Sequence, residues 1–169
     1  MERNRRIAKA YARCPVIRID SRCSGFNGDS IGLAGFENPF RDEESMSVHR
    51  KIGAGIIVAA DEDGNIMLHT LGHHNVSAVT LGSATGDATC SHRMLDRTCK
   101  IFDMRAFVAS LNHELSSNCP RIQWLQNRCF TALVFSPNPM LQVIDSPVWI
   151  IIINIVALEM LHRNLQLRE

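Results

Sequence analysis

Residues 52–71 read IGAGIIVAADEDGNIMLHTL, and this stretch decides the fold class that the sequence predicts. Small and β-branched residues fill positions 52–60, and an apolar run resumes at 66–71. Between the two runs lies DEDGN, in which Gly64 can adopt a positive φ without steric penalty. Two apolar runs joined by a turn of this composition predict a β-hairpin.

Short apolar and β-branched runs outside the hairpin predict further strands. They lie at residues 16–20, 76–81, 129–135 and 141–144. Residues 148–156 carry five isoleucines and two valines, a composition that favours a buried strand. Helical spacing follows at 157–167, so we expect a strand that runs into a C-terminal helix; a single long helix is the alternative.

Residues 91–115 form the best candidate for a main helix. Asp87 or Ser91 could cap its start, and Asn118 with Pro120 would stop it. Its apolar side chains define two stripes rather than one. This drift indicates either a helix that packs on two surfaces or a break near Asp103.

Together these elements predict an α+β fold. A small antiparallel sheet built on the 52–71 hairpin would be packed by the main helix at 91–115 and by the C-terminal helix. Residues 1–14 are expected to form a basic N-terminal arm or a short helix over 3–13. The remainder, 15–169, is expected to form one domain with an irregular loop at 21–47.

Composition excludes two broad classes of protein. The 169 residues are 46% hydrophobic and 21% charged, which argues against intrinsic disorder. The net charge is only +1, so a globally basic nucleic-acid-binding protein is not indicated. Positive charge does concentrate in the first 25 residues, and nucleic acid is therefore expected as a partner only through the basic N-terminal arm.

The six cysteines are expected to be reduced thiols in a cytoplasmic protein. The basic start is not followed by an apolar signal-peptide core, and a chain of this length can fold without disulfides. The longest apolar stretch, 148–158, is shorter than the roughly 20 residues that a membrane span requires. A membrane partner is therefore not expected, and a weak C-terminal anchor at 148–161 is the alternative.

Thiol and imidazole groups supply the candidate metal ligands, which are Cys90, His92, His73 and His74. A zinc ion needs about four such ligands at roughly 2.0–2.3 Å. If 91–115 is helical, His92 and Cys99 lie roughly 10 Å apart along the axis and cannot share one ion. Only the Cys90-x-His92 pair has a plausible local geometry for metal binding.

The candidate catalytic residues are Cys90, His69, His73 and His113. His69 and His73 lie at the end of the hairpin, and imidazoles titrate near neutral pH. Cys90 lies near the predicted start of the main helix, where the helix dipole would favour a thiolate. His113, followed by Glu114, lies on the predicted main helix.

The function that the sequence favours is a non-enzymatic module that binds a protein or small-molecule partner, since no catalytic constellation is evident. No cofactor is expected on this interpretation. The alternative is a small metal-dependent or cysteine-dependent hydrolase that uses His69, His73 and His74 with Cys90 and His92, and zinc would then be its metal. A third alternative is a chain without a selected function, which cooperative unfolding would argue against.

Overall fold

The computed structural model describes residues 1–72, 75–81, 90–92, 98–136 and 143–167, with the backbone alone at 90–92. Its strands are β1 (Val16–Asp20), β2 (Gly25–Phe26), β3 (Ser30–Gly32), β4 (Ile56–Ala60), β5 (Ile66–Thr70), β6 (Val76–Thr80), β7 (Cys90–His92), β8 (Thr98–Phe102), β9 (Phe130–Phe135) and β10 (Val148–Ile153). Its helices are α1 (Glu43–Ile52), α2 (Met104–Leu115), α3 (Ile122–Arg128) and α4 (Ile155–Gln166), with 3-10 turns at Leu33–Gly35 and Val143–Asp145.

The described strands form two sheets. The first has the order β2-β3-β1-β4-β5-β8, in which only the β1–β3 pair is parallel. The second is antiparallel throughout, with the order β10-β9-β6-β7. The sheets approach each other where β8 contacts β6 and β7.

One hydrophobic core joins the two sheets and the helices. Ile19 and Leu68 enter it from the first sheet, and Leu133 enters it from the second. Phe107 of α2 and Leu161 of α4 close it from the helical side, and both are fully buried. The α+β class predicted from the sequence is confirmed, although the sheets are larger than predicted.

The helices lie at the two ends of the sandwich. Strands β4 and β8 run in the same direction, because each pairs antiparallel with β5. Helix α1 directly precedes β4 and α2 directly follows β8, so α1 and α2 lie at opposite ends of the first sheet. Helices α2, α3 and α4 contact one another, whereas α1 contacts β10.

The hairpin prediction is confirmed. Strand β4 pairs with β5 in the register Val58↔Leu68, and the Gly64 N–H donates to the Asp61 carbonyl across the turn at 3.0 Å. Gly64 has a φ of 81°, the left-handed conformation that favours glycine. The predicted succession of a strand over 148–156 and a C-terminal helix over 157–167 is also confirmed, although the strand ends at Ile153 and the helix begins at Ile155. The alternative of one long helix is wrong.

The helix predicted over 91–115 is shorter than expected. Its first part forms strands β7 and β8, and α2 begins only at Met104. The Asp103 carboxylate caps α2 by accepting a hydrogen bond from the Ala106 N–H at 2.9 Å. The described part of the first apolar stripe therefore belongs to β8 and the second stripe to α2, and these two elements meet at the predicted break near Asp103.

The predictions for the N-terminal third need two corrections. No helix forms over 3–13: Glu2 and Arg5 form a β-bridge, and residues 6–13 have no regular secondary structure. The segment 21–47 is not simply a loop, since it contains β2, β3, a 3-10 turn and the start of α1. Asp42 caps α1 by accepting from the Ser45 N–H at 2.7 Å, a signal that the composition of the loop concealed.

Two further predictions concern the C-terminal third. The strand over 129–135 is confirmed as β9, and α3, which precedes it, was not predicted. Of the predicted strand at 141–144, residues 141 and 142 lie outside the described residues. Residues 143 and 144 belong to a 3-10 turn, so this part of the prediction is wrong.

Candidate functional site

The two sheets leave a cavity of about 610 Å³ on the side where β10 lies across from β1 and β3. We call it the inter-sheet groove. Its walls are mainly aliphatic and include the side chains of Ile17, Ile19, Ile31, Ile150 and Ile152. These residues face inward because side chains alternate along a strand, and the groove is the part of the sandwich interior that they do not fill.

Residues 6–14, which we call the strap, lie over this groove. The strap begins beside α1 and ends at Pro15, just before β1. Strand β1 runs antiparallel to β4, which directly follows α1, so β1 starts at the end of the sheet away from α1. The strap therefore spans the length of the groove. Its residues are mostly exposed and form no hydrogen bond or ion pair with the described part of the chain.

A buried polar cluster holds the start of the strap in place. The Glu2 carboxylate is 4% exposed and accepts hydrogen bonds from Arg41 Nη2 at 2.8 Å and Asn38 Nδ2 at 2.5 Å. His49 Nε2 of α1 lies 2.8 Å from Glu2 Oε1. We call these four residues the Glu2 cluster.

Burial and hydrogen bonding shift the pKa values in the Glu2 cluster. Burial alone would raise the pKa of Glu2, but the hydrogen bonds from Arg41, Asn38 and His49 outweigh it and lower that pKa. Burial lowers the pKa of His49, against the opposing effect of Glu2. Both shifts favour an ionised Glu2 carboxylate beside a neutral His49 imidazole.

The outer edge of β10 is only partly paired. The Arg3 N–H donates to the Pro147 carbonyl and the Trp149 N–H donates to the Met1 carbonyl, both at 3.1 Å. Backbone groups alternate in direction along a strand, so the N–H and C=O of Ile151 point to the same edge as those of Trp149. No described residue pairs with them there.

Apolar side chains accompany this edge. Ile151 is 36% exposed, Ile153 43%, Ile155 55% and Val156 62%. No charged residue occurs between Val148 and Leu158. We call the unpaired edge and these four side chains the β10 patch.

The structure places the predicted site residues on separate elements. His69 lies on β5, where its Nδ1 is 3.2 Å from Thr98 Oγ1. His113 lies in the last turn of α2 beside a second, smaller cavity of about 260 Å³. The neighbouring Glu114 carboxylate accepts from the backbone and guanidinium of Arg121, at 2.8 Å and 2.5 Å, and so does not orient His113.

Cys90 and His92 lie on strand β7, opposite Ala78 and Val76 of β6. The prediction that Cys90 lies near the start of the main helix is therefore wrong, and strand β7 has no helix dipole that would favour its thiolate. The side chains of Cys90 and His92 lie outside the described part of the structure, as do His73 and His74 entirely. Among the side chains that are described, no three His, Cys, Asp or Glu residues converge as a metal site would require.

Sequence reasoning missed the residues that the structure brings together. Glu2 is 36 positions from Asn38 and 47 from His49, so no local spacing could signal their contact. The β10 patch did leave a signal in the uncharged run at 148–158. The composition of that run predicts a buried strand, whereas Ile151, Ile153, Ile155 and Val156 are exposed.

The cysteines and the apolar run give two further observations. Cys14, Cys23, Cys119 and Cys129 are free thiols. The segment considered as a membrane anchor, 148–161, forms β10 and the first half of α4. Among the described helices, none has the length and apolar character needed to cross a membrane.

Comparison with known proteins supplies a family and two structural relatives. The model of the MH2 domain family matches residues 1–155. The crystal structure of the interferon regulatory factor 9 IAD domain gives a TM-score of 0.66 at 13% identity, over 99% of this chain and 86% of that chain. A crystal structure of STAT2 in complex with IRF9 gives a TM-score of 0.59 at 14% identity, over 85% and 82% of the two chains.

Identities this low establish a shared fold and nothing more. A search of curated proteins finds no match. The family match is stronger evidence, because it covers every strand that the structure describes and the helices up to the first residue of α4. This chain belongs to the MH2 domain family.

Proposed function

We propose that this chain is a protein-binding module that binds an extended segment of its partner along the β10 patch. Membership of the MH2 domain family supports a role in protein–protein interaction. The structural relative that contains STAT2 together with IRF9 is itself a complex of two proteins. Neither the family nor the described side chains support the alternative of a hydrolase.

The observation that carries the proposal is the unpaired edge of β10. A strand edge with free N–H and C=O groups is a template for another strand, and peptide-binding domains use such edges. The chain already uses the first part of this edge in the same way, because Met1 and Arg3 hydrogen-bond to Trp149 and Pro147. Ile151 offers the next pair of backbone groups along the edge.

The exposed side chains define the chemistry of the partner. Side chains of an added strand alternate between the two faces of the sheet, so every second residue would lie beside Ile151 or Ile153. Both are aliphatic and half-exposed. The partner segment is therefore extended, with apolar and preferably β-branched residues at alternate positions and no charge on that face.

The test is selection of binding peptides from a random display library, followed by calorimetry with an enriched peptide. We expect alternating apolar positions in the enriched sequences. Ile151→Lys should weaken binding about tenfold or more, because it places a charge in an apolar contact. The matched control is Ile144→Lys, since Ile144 is 60% exposed and lies in the 3-10 turn outside the patch.

Three outcomes would overturn the proposal. The first is a library that yields no enriched peptide. The second is an affinity that Ile151→Lys and Ile144→Lys reduce equally. The third is a concentration-dependent dimer that Ile151→Lys abolishes, which would make the occupant a second copy of this chain. Hydrogen exchange of the Ile151 amide should slow when the peptide binds, and it supplies an independent readout.

We also propose a cytoplasmic location, as the sequence predicts. The free thiols of Cys14, Cys23, Cys119 and Cys129 are compatible with a reducing compartment. Fractionation of cells that express the tagged chain tests this directly.

A further inference from the structure

We infer that the inter-sheet groove binds a long-chain carboxylate, with its aliphatic chain beneath the strap and its head group at the α1 end. The four side chains of the β10 patch also line this cavity, but the inference does not rest on partner binding there. Its volume of about 610 Å³ falls within the range of about 300–1,000 Å³ typical of small-molecule sites. Such sites are mostly apolar with a few polar groups, and the groove has this composition.

The aliphatic walls favour a flexible chain over a flat or polar ligand. Ile17 and Ile19 of β1 face Ile150 and Ile152 of β10 across the groove, and Ile66 of β5 also lines it. Ile17, Ile19 and Ile66 are buried, and their side chains offer no hydrogen bond to a ligand. The walls can stabilise a ligand only through van der Waals contact and the burial of apolar surface. An alkyl chain makes such contacts along the whole length of the groove.

Polar side chains line several parts of the groove: Arg6, Lys9 and Tyr11 come from the strap, and Asn154 lies at the end of β10. Trp149 is 8% exposed and lines the groove near the start of β10, where that strand meets α1. Its indole Nε1–H has no hydrogen-bond partner among the described residues. That nitrogen has no accessible surface, so a ligand in the groove does not contact it, and the head group must bind elsewhere.

A positive charge lies at the α1 end of the groove. Arg6 lines the groove four residues after Glu2, which is held beside α1 by the Glu2 cluster. Arg6 has no ion pair with any described acidic residue, whereas Arg41 is already committed to Glu2. The groove therefore joins an apolar interior to a cation that pairs with no described acidic residue, which is complementary to a carboxylate at the head of an alkyl chain.

The test uses oleate as the probe and methyl oleate as its uncharged counterpart. We expect oleate to bind with a stoichiometry of one, and methyl oleate to bind about two- to fivefold more weakly, as expected for one partly exposed charge pair. Arg6→Gln should remove this preference. Calorimetry measures the affinity, and Trp149 fluorescence in a Trp124→Phe background reports occupancy.

Filling the groove provides the second arm. Ile150→Trp places a larger side chain in the groove, and we expect it to weaken both ligands by about tenfold or more. Ile144→Trp adds the same ring at an exposed position that does not line the groove, and it should bind oleate as the wild type does. Circular dichroism establishes that each variant is folded; if Ile150→Trp is not, the Arg6→Gln result decides.

The inference is overturned if no saturable binding of oleate occurs. It is also overturned if several molecules bind without saturation and Arg6→Gln changes nothing, since that is the behaviour of adventitious detergent-like association. Equal affinity of the wild type for oleate and methyl oleate would show that the groove does not recognise a carboxylate, and would also overturn the inference.

Discussion

At the residue scale, the Glu2 cluster explains why the N-terminal segment is not a loose arm at its start. A carboxylate that is 4% exposed needs partners, and Arg41, Asn38 and His49 supply them from the segment before α1 and from α1 itself. Removing one member of a buried charged cluster is strongly destabilising because the others remain buried without a partner. The cluster therefore ties residues 1–5 to the fold.

The same cluster predicts how stability depends on pH. The pKa of His49 is lowered in the folded state, so the unfolded chain binds the proton more readily as the pH falls below the ordinary histidine value of 6.5. Stability is fully present above that pH and is lost as the pH falls. Glu2, whose pKa is also lowered, adds a further loss below its ordinary value of 4.5. Urea denaturation should show a falling midpoint between about pH 7 and about pH 5.

His49→Gln tests the source of this loss. The amide does not titrate but can still donate to Glu2, so the midpoint should become nearly independent of pH in that window. The control is His162→Gln, which changes an exposed histidine on α4. If both variants keep the wild-type dependence, His49 is not responsible for the loss.

At the element scale, the junction between β10 and α4 decides how the C-terminal apolar run folds. Asn154 is 7% exposed; its side-chain oxygen accepts from the Ala157 N–H at 3.0 Å, and its own N–H donates to the Cys129 carbonyl at 2.9 Å. The side chain therefore caps α4 at the point where β10 leaves β9. An asparagine within the apolar run marks the end of the strand.

Asn154→Ala should lower the free energy of unfolding by about 1 kcal/mol, because it removes this N-cap. Urea denaturation followed by circular dichroism measures the change. Asn112→Ala is the matched control, since Asn112 lies on the exposed side of α2 and alanine is the better helix former. Equal stability of Asn154→Ala and wild type would show that the cap does not hold the junction.

At the scale of the whole molecule, one core joins both sheets to the helices, and this predicts cooperative unfolding. The two tryptophans report on different parts: Trp124 lies on α3 and Trp149 on β10. Thermal transitions of Trp124→Phe and Trp149→Phe, each followed by the remaining tryptophan, should coincide with the transition seen by circular dichroism. Separate transitions would divide residues 15–169 into independent units.

The sequence by itself determined the local features of the fold. The hairpin follows from a glycine-containing turn between two apolar runs, and the β10–α4 succession follows from a β-branched run that passes into helical spacing. These patterns depend only on residues that are close in the sequence, so they can be recognised without knowledge of the tertiary structure. The α+β class follows from their sum.

Only the tertiary structure decided the division of 91–115 and the positions of the binding surfaces. Thr98–Phe102 becomes β8 because β5 pairs with it, and that partner lies about 30 residues earlier in the chain. Glu2 meets His49, and the strap covers the groove, through contacts between distant segments. Contacts of this kind depend on which strands become neighbours. The spacing of apolar side chains within one segment does not determine the order of the strands.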